Sequence, residues 1–314
     1  MSNQLRVNAY MKAIPPGNKN PEKPMLLENF VQGVNAVGDK GAIIHTFQYE
    51  PADVGVLQGF VHPESKHVPH LDLRRQVLTN QSQIAGARTI IADANLFLAY
   101  DPKNTNTYLR YSFDGIFPNT GEYCDGTIDP QRWVELRERL GIRIKPWKKY
   151  GDYILITCQR DGGWSMDGLK VINWLHPLIQ KIQKHTDKPI RVRFHPGDKK
   201  INKHIVQLQA IGHKVQISSP TSSLIKDLHD AYAVVSYNSS PAVAAAIEGV
   251  PIFVLDPQRS QARDVANLDL KMLDNPSYEF DREAWLRRLS MSHWRLDELK
   301  NGACWTHMKK WIRK

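Results

Sequence analysis

Three short polar segments in the second half of the chain have the composition of an anion-binding site. Residues 159–163 read QRDGG, residues 193–197 read RFHPG, and residues 238–241 read NSSP. The adjacent glycines of the first segment permit a close approach to the backbone, and Arg160 adds a fixed positive charge. The second segment places an imidazole, His195, two residues after an arginine. The first segment lacks both the dinucleotide-binding fingerprint and the Walker lysine pattern, which disfavours the ordinary cofactor-binding classes.

The third segment opens a helix. Ser240 is well placed as the N-cap, and Pro241 suits the first helical position. Exposed N–H groups and serine hydroxyls at such a helix start form a site for a diphosphate. Alternatively, Ser240 is simply a helix cap, and His195 is a packed or capping histidine. The three segments together favour phosphate binding.

Each polar segment follows a strand of a predicted parallel sheet. The predicted strands are 153–158, 190–194, 215–218, 233–237 and 251–255. The predicted helices between them are 168–185, 201–212, 222–231 and 241–249. This alternation predicts a doubly wound α/β domain, which binds ligands where the carboxyl ends of the strands meet the loops. We therefore expect the three segments to converge on one edge of the sheet.

The first half of the chain shows a similar alternation. The predicted strands are 5–10, 42–47, 54–60 and 88–93, and the predicted helices are 25–37 and 71–84. Residues 108–125 combine aromatic residues with glycines, which predicts functional loops rather than packed elements. A helix at 131–140 and a polar hinge at 143–151 follow, and the tail from residue 280 predicts two tryptophan-bearing helices. These patterns predict domains at 1–142 and 143–279, with C-terminal helices at 280–314 that pack back across them.

Length, composition and charge limit the class of protein. A chain of 314 residues with 41% apolar content is long enough for two domains. It has neither a membrane-spanning apolar run nor the layout of a secretion signal, so we expect a cytoplasmic protein. The three cysteines, Cys124, Cys158 and Cys304, lack metal or disulfide spacing and are predicted to be ordinary thiols.

The positive charge lies in the second half. Residues 1–140 hold 14 basic and 15 acidic residues, a net charge of −1. Residues 141–314 hold 28 basic and 17 acidic residues, a net charge of +11. Such an excess indicates either a polyanionic partner or a solvated basic surface that keeps the protein soluble.

Two of these stretches resemble a known enzyme class. Residues 193–197 and then 236–257, SYNSSPAVAAAIEGVPIFVLDP, resemble the C-terminal donor-binding half of GT-B fold glycosyltransferases. The resemblance implies two Rossmann-like domains facing across a cleft, with the acceptor bound by the N-terminal half. It also implies a nucleotide-sugar co-substrate such as a UDP-sugar, no metal or other cofactor, and an inverting transfer. The glutamate that one branch carries near Ala245 is absent, so Glu248 is not assigned to the ribose.

The resemblance and the strand-end positions together define candidate site residues. The donor-binding candidates are Gly17, Asn18, Arg160, Gly162, Gly163, Arg193, His195, Pro196, Asn238, Ser239, Ser240 and Arg263. For Arg263 a surface ion pair is an equal alternative. Inverting transfer needs a base in the cleft. Asp93, at the end of the strand TIIAD, is the first choice, with helix capping or a turn as its alternative. Asp114 and Glu122 are the competitors.

A second resemblance concerns the acceptor. The whole chain, including DANLFLAYD and FDGIFPNTGEYCD, is similar to bacteriophage glycosyltransferases that modify hydroxymethylated bases such as hydroxymethylcytosine in double-stranded DNA. This similarity implies a host cytoplasmic DNA-binding enzyme that takes an extruded base into an aromatic pocket. The acceptor-binding candidates are Arg110, Tyr111, Phe113 and Glu122. Alternatively, the aromatic residues pack the core of the first domain. The alternative functions are a GT-B enzyme of capsule or envelope polysaccharide synthesis, a sugar-nucleotide epimerase and a non-catalytic nucleic-acid binder.

Overall fold

The chain folds into two compact α/β units. The structure is a computed structural model that describes residues 4–62 and 64–312. The first unit contains the residues up to Asn95, Lys103–Leu136 and the residues from Arg287 onward. The second contains Leu96–Pro102 and Arg137–Leu286. The sequence predicts a boundary after residue 142 and a separate tail, whereas the boundary falls after Leu136 and the tail is divided at Arg287.

Strands and helices alternate through most of the described chain. The strands are β1 (Arg6–Tyr10), β2 (Lys40–Ile44), β3 (Val54–Gln58), β4 (Arg88–Asp93), β5 (Leu109–Phe113), β6 (Tyr153–Thr157), β7 (Ile190–Arg193), β8 (Gln216–Ile217), β9 (Ala231–Ser236), β10 (Ile252–Val254) and β11 (His293–Trp294). The helices are α1 (Glu22–Ala36), α2 (Pro69–Ser82), α3 (Pro130–Leu140), α4 (Val171–Gln183), α5 (Ile201–Ala210), α6 (Leu224–His229), α7 (Pro241–Ile247), α8 (Arg282–Ser290), α9 (Leu296–Lys300) and α10 (Ala303–Met308). Within residues 4–62 and 64–312, none of these helices combines the length and hydrophobicity that crossing a bilayer requires.

The second unit has a parallel five-stranded sheet in the order β10-β9-β6-β7-β8. Every residue of β6 and β9 is buried, as expected for central strands covered by helices on both faces. Strand β6 pairs with both β7 and β9. The strands that follow β6 in the chain are first added on its β7 side and later on its β9 side, so the order of strand addition reverses at β6. Doubly wound sheets open a crevice for a ligand at such a switch point. The predicted doubly wound architecture is confirmed for this unit.

Helices α4 and α7 show why the sequence folds this way. Trp174, Leu178 and Ile182 recur every four residues and give α4 a buried apolar face. In α7, Pro241 occupies the first turn and its fixed φ suits that position. The alanines that follow are buried, so their small side chains let α7 approach the sheet closely.

The first unit has a six-stranded sheet in the order β11-β5-β4-β3-β1-β2. The four strands from β2 to β4 are parallel, while β5 and β11 are antiparallel additions. Strand β5 lies inside residues 108–125, so the prediction of functional loops there was wrong in part. Tyr111 and Phe113 alternate along this strand and are buried in the core of the unit. They lie on the face of β5 that packs against this core, while Arg110 and Ser112, which point to the other face, are also buried.

The tail contains more than the two predicted helices. It forms α8, β11, α9 and α10, and β11 pairs with β5. Trp294 and Trp305 belong to the core of the first unit. Trp285 belongs to the second unit, where its Nε1–H donates to the backbone oxygen of Gln261 at 2.9 Å. The tryptophans are therefore packing residues of both units.

Replacing Gly33 by alanine is expected to destabilise the first unit. A methyl group on Gly33 in α1 would lie 1.9 Å from the backbone oxygen of Leu299 in α9. Overpacking against backbone costs about 2 kcal/mol or more, which exceeds the roughly 1 kcal/mol that alanine gains in helix propensity. Urea unfolding should show the loss. Gln32→Ala, an exposed change on the same helix, should leave the midpoint nearly unchanged, and equal effects of the two changes would contradict the close contact.

The buried His293 predicts acid sensitivity of the first unit. Burial lowers the pKa of His293 to about 3, and its Nδ1–H donates to the backbone oxygen of Leu289 at 2.8 Å. Because an unfolded histidine has a pKa of about 6.5, the neutral folded form stabilises the protein above that pH. This stability is lost as the pH falls from about 6.5 toward 3, at up to roughly 1.4 kcal/mol per pH unit.

The measurement is the unfolding free energy as a function of pH. His293→Asn should lower stability at pH 7 yet flatten the pH dependence between pH 6.5 and 4, since the titrating group is gone. His45→Asn, at an exposed histidine, is the matched control and should keep the wild-type slope. An unchanged slope in His293→Asn would assign the acid sensitivity to other groups.

Candidate functional site

The three polar segments of the second unit meet at the carboxyl edge of its sheet. Gln159 Nε2 donates to Asn238 Oδ1 at 2.6 Å, which joins the turn after β6 to the turn after β9. Arg160 Nε lies 3.4 Å from His195 Nδ1, which joins the turn after β6 to the turn after β7. We call residues 159–163, 195–197 and 238–240 the three turns. They line the switch point of the sheet, as the strand order requires.

Two glycine contacts hold Arg160 at the rim. A methyl group on Gly197 would lie 2.6 Å from Arg160 Nη2, so the guanidinium rests directly on this glycine. A methyl group on Gly163 would lie 3.0 Å from the Arg160 backbone oxygen. Gly162 has a φ of 63°, a conformation that glycine adopts without strain. Arg160 remains exposed and is therefore able to meet an anion.

His195 presents one free N–H. Its Nδ1 accepts the backbone N–H of Gly197 at 2.9 Å, so the proton of the neutral ring lies on Nε2. Burial and, secondarily, the charge of Arg160 lower the pKa of His195, so the ring is neutral at pH 7. Nε2 has no bonding partner among the described residues. The turn thus offers a neutral hydrogen-bond donor beside a fixed cation, with Pro196 exposed between His195 and Gly197.

The third of these turns, residues 238–240, is called the serine turn, and it differs from its prediction. Ser240 is the residue before α7, but its side chain makes no capping hydrogen bond. The N–H groups of Ala242 and Val243 are already bonded to the carbonyls of Ser239 and Ser240. The expected free N–H groups at this helix start are therefore absent from α7, since the tight turn bonds them internally. Ser239 Oγ instead lies 2.8 Å from Ser236 Oγ.

A buried polar cluster supports the first two turns and was missed in the sequence. Asp198 Oδ2 accepts the Asp161 N–H at 3.1 Å and lies 3.3 Å from His204 Nε2. Asp161 accepts hydrogen bonds from Lys200 Nζ at 2.8 Å and from the N–H of Val171 at 2.9 Å. Asp198 follows HPG directly in the sequence, so the strand-end rule that selected His195 would also have selected Asp198.

A second support joins the serine turn to the end of β10. Asn238 Nδ2 donates to Asp256 Oδ2 at 3.0 Å, and Asp256 also binds Arg259. Arg259 forms a bidentate pair with Asp167 at 2.9 and 2.8 Å. The hydrogen bonds to both carboxylates raise the pKa of Arg259. Asp256 lies two residues after the buried strand β10, so it too carried the strand-end signal.

Two donor candidates of the second unit do not join the three turns. Arg193 Nη1 binds the Asp227 carboxylate and donates to the backbone oxygen of Ser222 at 3.0 Å. It therefore fastens the segment after β8 to the sheet. Arg263 is half-exposed, with its Nε 3.4 Å from the neighbouring Asp264 carboxylate, which matches the surface-pair alternative.

An open depression adjoins the serine turn. It has a volume of about 440 Å³, and Tyr237, Asn173 and Lys170 contribute to its lining. Tyr237 directly precedes Asn238, and its ring packs on Trp174 with the centroids 6.2 Å apart. This volume falls within the range of small-molecule sites.

In the first unit, Asp93 is paired with a buried arginine. Asp93 ends β4 opposite Arg110 of β5, and Arg110 Nη2 donates to Asp93 Oδ2 at 2.6 Å. Asp93 Oδ1 has no bonding partner among the described residues. The loop with Gly17 and Asn18 follows β1 at the same edge of the sheet, and Asn18 Nδ2 donates to the Asn20 oxygen at 2.6 Å.

Four other candidates of the first unit lie elsewhere, because β5 runs antiparallel to β4. Asp114 is at the opposite edge of the sheet from Asp93: its Oδ1 accepts the Thr89 N–H at 2.8 Å, and its Oδ2 binds Arg88. Tyr111 and Phe113 are buried in the core, and Arg110 is the partner of Asp93. Glu122 bridges Phe113 near Asp114. The structure does not bring Asp114, Tyr111, Phe113 or Glu122 to the edge that carries Asp93.

Comparison with known proteins shows similarity at the level of fold. No protein-family profile and no curated protein matches the chain. Among solved structures, the KpsC β-Kdo 2,4-transferase of Thermosulfurimonas dismutans matches with a TM-score of 0.51 and 10% identity, over 88% of this chain and 91% of that one. The KpsC β-Kdo 2,7-transferase of the same organism matches with a TM-score of 0.50 and 10% identity, over 96% and 99%. The Methanocaldococcus jannaschii UDP-GlcNAc 2-epimerase matches at 0.36 and 11%, over 90% and 98%.

The two KpsC matches define the class of fold. The chain has the GT-B fold, and the fold prediction is confirmed. Residues 4–62 and 64–312 contain no group of three or more histidine, cysteine or acidic side chains arranged to hold a metal ion.

Proposed function

We propose that this protein is a glycosyltransferase that takes its sugar from a nucleotide-sugar donor, such as a UDP-sugar, bound at the three turns. The observation that carries the proposal is the contact of the turns around Arg160, His195 and Asn238 at the switch point. Two hydrogen-bond donors on different turns, the exposed Arg160 guanidinium and the neutral His195 N–H, suit the oxygens of a diphosphate. The depression beside Tyr237 offers volume for another part of the donor.

The three turns act on the leaving group. When the bond between sugar and diphosphate breaks, negative charge grows on the diphosphate, and Arg160 stabilises it with a charge that is already in place. His195 Nε2–H adds a hydrogen bond without a proton transfer. The carboxylates of Asp161 and Asp198 hold the first two turns in position relative to each other. Charge neutralisation by these side chains is the basis for proposing metal-independent transfer.

We propose Asp93 as the base that deprotonates the acceptor hydroxyl, with inversion at the anomeric carbon. Arg110 holds Asp93 Oδ2, which orients the carboxylate and leaves Oδ1 available for the proton. General-base assistance of this kind requires the carboxylate within hydrogen-bond reach of the acceptor. The Gly17–Asn18 loop lies at the same edge of the first-unit sheet, and its part in donor binding stays a prediction.

For the acceptor, two proposals stand. Resemblance to phage enzymes favours a hydroxymethylated base in DNA. Burial of Tyr111 and Phe113 removes two of the aromatic rings that would stack on such a base. The likeness in fold to KpsC transferases suits the other proposal, a sugar hydroxyl of an envelope polysaccharide. Because the burial of these two rings weakens the DNA proposal, a saccharide is the acceptor we propose first.

The test is a matrix of donors and acceptors followed by mass spectrometry. UDP-, GDP- and CMP-sugars are each incubated with envelope oligosaccharides, hydroxymethylated DNA or unmodified DNA. A mass gain of one sugar on an oligosaccharide supports the proposal, and a gain only on hydroxymethylated nucleosides selects the alternative. Conversion of the donor to an epimer without acceptor would identify an epimerase. If no sugar nucleotide raises the melting temperature or turns over, the donor site is refuted.

A further inference from the structure

Arg74 of α2 is a buried cation. Its side chain is only 6% exposed. Nε donates to the backbone oxygen of Ala13 at 2.9 Å, and Nη1 donates to the backbone oxygen of Phe60 at 3.0 Å. In the part of the chain that the structure describes, Arg74 forms no ion pair with a carboxylate. A buried charge is normally paired, because taking it out of water costs several kcal/mol.

The two carbonyls place this guanidinium at a specific edge. Ala13 follows β1 and Phe60 follows β3, and these strands are parallel neighbours in the first-unit sheet. Arg74 therefore lies at the carboxyl edge, the same edge that carries Asp93 two strands from β1. Gly59 makes room for it: a methyl group there would lie 3.0 Å from Nη1 and 3.4 Å from Nη2.

One edge of the guanidinium is unused. Nε and Nη1 are both bonded to carbonyls, whereas Nη2 has no acceptor among the described residues. Nη2 is also not among the buried nitrogens that lack a partner, so it reaches the surface. An anion approaching from solvent would meet a positive group whose position is already determined by two hydrogen bonds.

His70 lies one helical turn before Arg74, so the two side chains share a face of α2. Burial and, secondarily, the charge of Arg74 lower the pKa of His70. The Asp72 carboxylate opposes this shift, but it is already bonded to Arg75 at 2.6 Å and to His67 at 2.9 Å. The patch therefore has positive potential that the neighbouring carboxylate does not neutralise.

We propose that Arg74 and His70 form an oxyanion subsite that binds a phosphate or carboxylate group of the acceptor. The role in acceptor binding rests on the proposed glycosyltransferase function, whereas anion binding by Arg74 does not. Arg74 Nη2 donates to the anion. The bound negative charge favours the imidazolium form of His70, which then adds a second charge-assisted hydrogen bond. An acceptor carrying an acidic group is thereby oriented at the edge of the sheet that presents Asp93.

The experiment follows histidine Cε1–H signals by NMR while inorganic phosphate replaces chloride at constant ionic strength. His70 reports the proposed subsite, and His195 reports the donor turns in the same spectra. Bound phosphate favours imidazolium, so the pKa of His70 should rise by about 0.5 or more at phosphate concentrations up to about 50 mM. Acetate in a parallel titration distinguishes a carboxylate-binding site from a phosphate-selective one, and a response to either supports the subsite.

Variants assign the response to Arg74. In Arg74→Met the His70 shift should disappear, whereas Arg6→Met, a change at an exposed arginine of β1, should retain it. If Arg74→Met does not fold, Arg74→Lys should bind phosphate at least severalfold more weakly, because an ammonium cannot fill both carbonyl bonds and still present the Nη2 edge.

Two results would overturn the subsite. One is a wild-type His70 signal that responds to neither anion, and the other is a response that persists at full strength in Arg74→Met. If His195 responds and His70 does not, only this inference fails. If His70 responds to the anions while no sugar nucleotide shifts His195 or raises the melting temperature, the donor site of the proposed function fails while the subsite stands.

Discussion

Replacing Arg160 by methionine is expected to lower kcat/KM for the sugar-nucleotide donor roughly 100- to 1,000-fold. Arg160 is the exposed cation of the three turns. In the proposed mechanism its charge stabilises the diphosphate most when the sugar bond breaks. Methionine keeps most of the side-chain volume over Gly197 but removes the charge. Steady-state turnover with the best donor, together with calorimetric titration of the nucleoside diphosphate, measures the effect.

Arg191→Met is the matched control for this change. Arg191 lies on β7 of the same sheet, but its guanidinium bonds to Gln216 at 2.8 Å rather than to any of the three turns. Its loss should alter kcat/KM less than about threefold, since surface charge away from a site changes function little. Equal losses in the two variants would mean that general positive charge, not the Arg160 turn, binds the donor.

Replacing Asp93 by asparagine is expected to lower kcat roughly 100- to 10,000-fold, with donor affinity unchanged. The amide is isosteric and its oxygen can still accept the hydrogen bond from Arg110, but it cannot take the acceptor proton. Single-turnover rates with saturating acceptor, measured beside the donor dissociation constant, separate the chemical step from binding. Retained turnover in this variant would exclude Asp93 as the base.

Asp114→Asn controls for the loss of a carboxylate in the same unit. Asp114 has a φ of 62°, which asparagine tolerates well, and its Oδ1 bond to the Thr89 N–H can be kept by the amide. The Arg88 ion pair is lost, so stability should fall slightly while kcat stays within about twofold. A large fall in kcat for Asp114→Asn would place the chemistry at the opposite edge of the sheet.

The elements of the second unit were predictable because their signals are local. Predicted strand 153–158 corresponds to β6 at Tyr153–Thr157, and predicted helix 241–249 corresponds to α7 at Pro241–Ile247. A buried parallel strand is a short apolar run, and a polar turn must follow it. The meeting of the turns around Arg160 and His195 then follows from sheet geometry, since parallel strands end at one edge.

Strand β5 was not predictable in this way, because its apolar residues are interrupted by polar ones that are also buried. Arg110 and Ser112 alternate with Tyr111 and Phe113, and all four have less than a tenth of their surface exposed. An arginine interrupts the apolar run by which a buried strand is predicted, so this segment was predicted to be a loop. The partner of this arginine, Asp93, lies on another strand, and the pair becomes visible only when β4 and β5 are adjacent.

By itself, the sequence determined which residues end strands and therefore which polar groups reach the edges of the two sheets. Only the tertiary structure decided which of those groups are free to meet a ligand. Arg193 and Arg160 both lie at strand ends, yet Arg193 is bound to Asp227, 34 residues away, while Arg160 is exposed. The physical reason is that the availability of a charge depends on partners from distant segments, whose approach no local pattern records.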